Sequence, residues 1–310
     1  MNVIRFALPI FASFGVCSCG GAASSPDALA RELQKAMTSG NFEAARSLAD
    51  IGGAPAELHF AYLSNVLDCS GASKCTVATA PLDAEFRQGL LDDAKREGAQ
   101  APQADGLIVL TMRSDDGSES GTMKMPYAKI DGQYKLATLH LTPAELARRR
   151  AQTSESLLKQ MLADGIYDNA SGARRTDWET AATKLPAGGG EPGAALIEQT
   201  RKMAAAVDAN DPDAAMRAGG RWAMLVFADK DYEGKPLAIE QRKRKLQVQS
   251  LRMLRDVKVL GGYQLGDDAV LIVEARDGIG WVERGALLVS RDEGVWDASM
   301  GGKQMVVYPQ

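Results

Sequence analysis

The stretches "YAKIDGQYKLATL" (Tyr127–Leu139) and "LLVSRDEGVWDASM" (Leu287–Met300) share one pattern. An apolar segment runs into Asp-Gly or Asp-Glu-Gly, then a second segment carries an aromatic residue two places past the glycine, Tyr134 or Trp296. Asp and Gly tolerate the backbone angles of a tight turn, so each stretch predicts a β-hairpin. The likeness extends upstream. "DGLIVLTMRSDDG" (Asp105–Gly117) parallels "DDAVLIVEARDG" (Asp267–Gly278), and "AMTSGNFEAARSL" (Ala36–Leu48) parallels "AVDANDPDAAMRA" (Ala206–Ala218). The spacing between copies exceeds any solenoid period, so the pattern predicts two similar units in tandem.

Local signals place the elements. Ser25-Pro26 opens a helix, since the hydroxyl caps a free N–H and proline has none to leave unpaired. Leu29, Leu33, Ala36 and Met37 then share a face, and Gly40 ends the helix. Leu196, Thr200, Met203 and Val207 form the matching stripe, and Asp211-Pro212 opens the next helix. A further helix is expected over 83–97 in the first copy and 237–254 in the second. Strands are expected at 107–113, 121–130 and 133–141, then at 257–264, 269–276, 280–289 and 295–300, with a hairpin turn at "SDDGSESG" (Ser114–Gly121). Between the copies, Thr142 and Glu145 form a capping-box pattern that predicts one long connecting helix to Gly165. "LPAGGGEPGA" (Leu185–Ala194) is the candidate flexible linker.

Helices followed by an antiparallel meander make an α+β plan. The element order and the closing "KIDGQYKL" and "SRDEGVWDAS" hairpins resemble the NTF2-like (cystatin-like cone) superfamily. The resemblance covers 27–141 and 193–310, joined by a helix and linker at 142–192. It implies a curved sheet over a long helix, leaving a conical pocket. Some members are isomerases or hydratases that use one Asp or Glu base in an apolar cone with a Tyr or Asp donor facing it. Glu274 and Asp297 are strand acids that face either inward or outward, and no catalytic residue is carried over. His59 and His140 are the only histidines. His140 falls on the expected face of Tyr134, Leu136 and Thr138 and reads as a satisfied strand histidine.

The start, "MNVIRFALPIFASFGVCSCGG", has one basic residue, Arg5, and an apolar run from Phe6 to Val16 that is too short to span a bilayer. It resembles a bacterial lipoprotein signal. That implies a signal peptide at 1–18, lipidation of Cys19 and a tether at 19–26; ordinary cleavage near Ala22–Ala23 is the alternative. Gly20 is not the aspartate associated with inner-membrane retention, which implies an outer-membrane anchor facing the periplasm. In an oxidising compartment the remaining cysteines, Cys69 and Cys75 in "DCSGASKC", read as a disulfide. A formal charge of −4 argues against nucleic acid as a partner.

Two further patterns stand out. "DKDYEGKPLAIE" (Asp229–Glu240) has EF-hand spacing, with Asp229, Asp231, Glu233 and Glu240 as calcium ligands. Pro236 and the long Glu233 side chain favour an ordinary interhelix turn. The run Arg242, Lys243, Arg244, Lys245, Arg252, Arg255 and Lys258 suits anionic headgroups, an acidic partner or a solvated helix face. With no convergent catalytic set, the chain reads as a non-enzymatic binding module. Its candidate partners are an envelope protein, including an immunity-type pairing with a toxin, or a small apolar ligand. A cone-fold pocket enzyme resembling steroid isomerases or hydratases is the alternative, and a buried carboxylate deep in one cone would mark it.

Overall fold

A computed structural model describes residues 23–71, 74–113, 120–164, 166–167, 174–175, 178–230, 235–298 and 303–310. Cys19 and most of "SDDGSESG" lie outside them. The fold is mixed helix and antiparallel strand with a curled, half-barrel sheet.

The first half begins with α1 (Pro26–Thr38), α2 (Phe42–Ser47) and α3 (Ala56–Gly71). Ser25 Oγ accepts the Ala28 amide at 3.1 Å, and the expected face of α1, Leu29, Leu33, Ala36 and Met37, is buried. Next come β1 (Lys74–Ala80), α4 (Ala84–Glu97), β2 (Ala99–Gln100), β3 (Gly106–Arg113), β4 (Ser120–Ile130), β5 (Gln133–Leu136) and β6 (His140–Leu141). The main sheet has the order β1-β3-β4-β5. Helix α1 touches β1 and β5, its two outermost strands, so the sheet curls around the helix. Gln34 of α1 donates to the Cys75 carbonyl at 2.7 Å and accepts the Val77 amide at 2.6 Å. This satisfies the backbone of an edge strand that would otherwise be free to pair with another chain.

Three features depart from the sequence expectations here. Strand β1 was not foreseen, although Thr76, Val77 and Thr79 are β-branched. The helix expected at 83–97 is present, but it lies between β1 and β3. In the second half only the turn Gly266-Asp267 occupies that place. The strand expected over 133–141 also stops at Leu136, and His140 belongs to β6, which pairs with β2.

The segment 142–192 folds as α5 (Pro143–Ala151), α6 (Ser154–Asp164), β7 (Ile166–Tyr167), β8 (Arg174–Arg175), α7 (Trp178–Ala181) and β9 (Thr183–Leu185). The expected single helix is two helices. Gln152 is extended (ψ 135) and Thr153 Oγ1 accepts the Ser156 amide, restarting the helix. Only half of the capping box forms. Thr142 Oγ1 accepts the Glu145 amide, but the Glu145 carboxylate turns to Arg148 and Arg149, each at 2.7 Å. Those cations hold it down to about 2. The "flexible linker" is an ordered turn. Gly189 has φ +71 and is buried, and a Cβ there would meet Val259 at 2.7 Å. Leu185 lies in β9, which pairs with the second sheet.

The second half contains α8 (Gly190–Asp208), α9 (Pro212–Ala218), α10 (Gly220–Val226), α11 (Ile239–Ser250), β10 (Arg255–Leu265), β11 (Asp268–Arg276), β12 (Val282–Asp292), β13 (Val295–Asp297) and β14 (Lys303–Tyr308). Its sheet order is β13-β12-β11-β10-β9, and β14 also pairs with β12. The path β10-β11-β12-β13 repeats β1-β3-β4-β5, so α3, not α4, is the counterpart of α11. Strand β11 is buried on both faces. Ala269, Leu271 and Val273 meet the α8 side with Leu196 and Trp296, whereas Val270 and Ile272 meet Leu158 and Met161 of α6. Burial on two faces explains the unbroken run "AVLIV".

Helix α3 packs on α11, joining the halves. Val248 of α11 is buried in the first core, and the Arg252 guanidinium lies 4.4 Å from the Phe60 ring centroid. Cys69 at the end of α3 and Cys75 at the start of β1 form the expected disulfide, with Cα atoms 5.4 Å apart. Replacing both cysteines with alanine is expected to lower stability by about 2 kcal/mol, the entropy of a short closed loop. Urea denaturation of the variant beside the oxidised parent checks this.

Candidate functional site

Each half holds a cavity against its sheet. The first, about 240 Å³, opens between α3, α4, β4 and the end of β5. Its wall is aliphatic, with Ile51, Leu58, Leu90, Met123, Met125 and Leu136 prominent. The polar side chains in the wall are engaged elsewhere. Tyr62 donates to the Ala45 carbonyl at 2.8 Å, Asn65 to Ala61 at 2.7 Å and Thr138 to Asp50 at 2.7 Å. Among the described residues Lys124 is the one cation on the wall, and its ammonium lies 3.5 Å from Asp83. Near Thr138, His140 Nε2 lies 2.9 Å from Asp50 Oδ2, so this histidine is paired, from the short strand β6 and not from the strand expected over 133–141. The other histidine, His59, is buried in α3, and burial pushes it down, keeping it neutral.

The second cavity, about 280 Å³, is more polar. Leu196, Met203 and Leu287 line it with Gln199, Arg252 and Lys303. Of the two strand acids singled out from sequence, Asp297 stands beside this cavity and accepts Gln199 Nε2 at 3.0 Å. Glu274 accepts two hydrogen bonds from Arg284. Both are held by neighbours.

The acid that sequence reading missed is Glu283 of β12. It is 1% exposed, and neither carboxylate oxygen has a hydrogen-bond partner. The Lys303 ammonium lies 3.9 Å from its Oε2. Asp277, also buried, accepts the Ile279 and Trp281 amides with Oδ1 while Oδ2 is unpartnered. Burial raises Glu283 to about 7; Lys303 and Arg252 oppose the rise, and Glu57 and Asp277 add to it. The signal was its phase: 283, 285, 287 and 289 alternate onto one face of β12, and Leu287 and Val289 of that face meet α8.

The remaining candidates are dispersed. Asp231 and Glu233 lie outside the described residues. The Asp229 carbonyl accepts the Leu237 amide at 2.8 Å, Lys230 bridges Pro236, and Glu240 pairs with Lys243 at 3.2 Å. Among the described residues, no three His, Cys, Asp or Glu side chains are placed to share a metal ion. The basic run does not form one face. Arg242 is buried and pairs with Asp213, Arg255 pairs with Asp208, Arg252 covers Phe60, and the Arg244 guanidinium lies beside Gly40. No helix among the described residues is long and apolar enough to cross a membrane.

No protein-family model, curated protein or solved structure matches the chain.

The raised Glu283 has a measurable consequence. Its folded-state value lies above the ordinary 4.5, so its neutral form suits the fold. That contribution is complete below about pH 4.5 and is lost as pH rises through about 7. Glu283→Gln is expected to change stability little near pH 4 and to stabilise by up to about 3 kcal/mol near pH 8. Urea denaturation at both pH values checks it.

Proposed function

We propose that the chain is a non-enzymatic binding module of the bacterial cell envelope, anchored through Cys19 to the outer membrane and facing the periplasm. In this reading it carries two tandem NTF2-like domains, and the first cavity takes an apolar ligand. The repeated sheet order β1-β3-β4-β5 and β10-β11-β12-β13, each with a long helix against it, supports the tandem arrangement. The disulfide suits an oxidising compartment. One observation carries the ligand class: apart from Lys124 at the wall, the donors of Tyr62, Asn65 and Thr138 already serve backbone carbonyls, so most of the wall offers a guest apolar contact and little hydrogen bonding. A polar guest would be desolvated there without compensation.

A second reading, a pocket enzyme, is favoured by Glu283 alone. Against it, Glu283 is buried and is not among the residues lining the second cavity. A general base must reach the proton that it removes.

Two measurements test the proposal. 1-Decanol at ten times its Kd should stabilise the protein by about 1.4 kcal/mol. Ala61→Trp should abolish the effect, because the exposed Ala61 lines the first cavity and a large ring there fills it. Unchanged melting of the parent with decanol defeats the ligand reading. Cys19→Ala should move the protein from the membrane to the soluble fraction, whereas Cys17→Ala should not. Retention of the Cys19 variant in the membrane fraction defeats the anchor.

A further inference from the structure

Helix α4 lacks the burial expected of a structural helix. Of its residues only Ala94 is buried. Phe86 and Leu90 are half-buried, and Leu91 is 51% exposed. Its main contact is the two-residue strand β2. The second half closes the equivalent connection with the turn Gly266-Asp267, so the sheet plan does not require a helix there. Yet α4 is well made: Asp83 caps its start at 2.7 Å and Gly98, with φ +64, ends it. Its Leu90 lines the first cavity, and its cap residue Asp83 pairs with Lys124 on the cavity wall. The insertion therefore meets the cavity through one apolar side chain and one ion pair.

We propose that the first cavity holds a single-chain aliphatic acid, with its tail under α4 against Leu90 and its head at Lys124. This rests on the apolar-ligand reading above and names the class. The wall argues for a flexible chain rather than a planar ring system. Tyr62 is its only aromatic residue among those described, and Met123 and Met125 are unbranched side chains that adapt to an irregular guest. Charge complementarity argues for an acid. Among the described residues Lys124 is the wall's only ionised side chain, its ammonium has three donors, and its bond to Asp83 at 3.5 Å is long for a charged pair. A carboxylate there shares the ammonium with Asp83 and ties the start of α4 to the ligand. The tail then covers Leu90, apolar surface that the fold itself leaves half-exposed.

The test uses the protein with Cys19→Ser, purified without detergent, and calorimetric titration with hexanoate, octanoate, decanoate and 1-decanol. Each added methylene should tighten binding roughly fourfold until the chain outgrows the cavity. Decanoate should bind up to about fivefold more tightly than decanol, the worth of a half-exposed ion pair. Lys124→Gln should erase that difference and leave decanol binding intact. Amide hydrogen exchange in 84–97 should slow when decanoate is bound. Equal binding of decanoate and decanol by the parent, an acid preference that survives Lys124→Gln, or unchanged exchange in α4 overturns the proposal while leaving an apolar cavity. If neither decanoate nor decanol binds, the apolar-ligand reading fails with it.

Discussion

The packing of α11 on α3 is the constraint on which the relation of the two halves depends. Helix α11, "IEQRKRKLQVQS", is too charged to bury itself against one sheet. It offers narrow apolar contacts, Leu246 to its own half and Val248 to the first core. Two of its cations are paired, Arg242 with Asp213 and Lys243 with Glu240. Just beyond its end, Arg252 lies on Phe60 of α3. A guanidinium over an aromatic face is attracted by the ring quadrupole and keeps its stem in apolar contact. Burial is the main reason Asp277 and Glu283 resist ionisation, and this joint adds to it by bringing Glu57 of α3 within electrostatic range of both.

The two sheets share a strand order but not a chemistry. In the first, methionines, small residues and internally bonded polar groups leave an aliphatic cavity, with α4 inserted beside it. In the second, β14 adds Lys303, α8 contributes Gln199, and an unpartnered carboxylate lies in β12. A buried carboxylate without hydrogen bonds is among the least stable arrangements a fold can retain, and remaining neutral reduces its cost. The connecting segment is equally unequal in its allegiance. Helix α6 covers the outer face of the second sheet, and Arg149 and Arg150 donate to the Val307 and Pro309 carbonyls.

Much of this was legible where the determinants are local. Ser25-Pro26, Asp211-Pro212, Asp131-Gly132 and Glu293-Gly294 fix caps and turns through a few neighbouring atoms, and their elements stand where expected. Asp131 and Glu293 even adopt the positive φ that such turns demand. Where contacts distant in sequence decide, reading failed. Strand β1 follows a cysteine loop, and its identity depends on pairing with β3 and on Gln34, 43 residues from Val77. The glycines at 188–190 look flexible in isolation, yet Gly188 donates to the Val259 carbonyl and Gly189 fits where no side chain can. Glu283 looks like a solvated strand charge until the phase of β12 places it beside Leu287.

By itself the sequence determined the helix starts at Ser25-Pro26 and Asp211-Pro212, the two closing hairpins and, given an oxidising compartment, the Cys69–Cys75 pair, because each draws on residues close along the chain. Only the tertiary structure decided that α3 and α11 are the matching helices, that α4 is an insertion beside an aliphatic cavity, and that the basic run is divided among separate partners. Those outcomes depend on which surfaces meet once two sheets have curled around their helices. Burial and desolvation are properties of that meeting and not of any one stretch of chain.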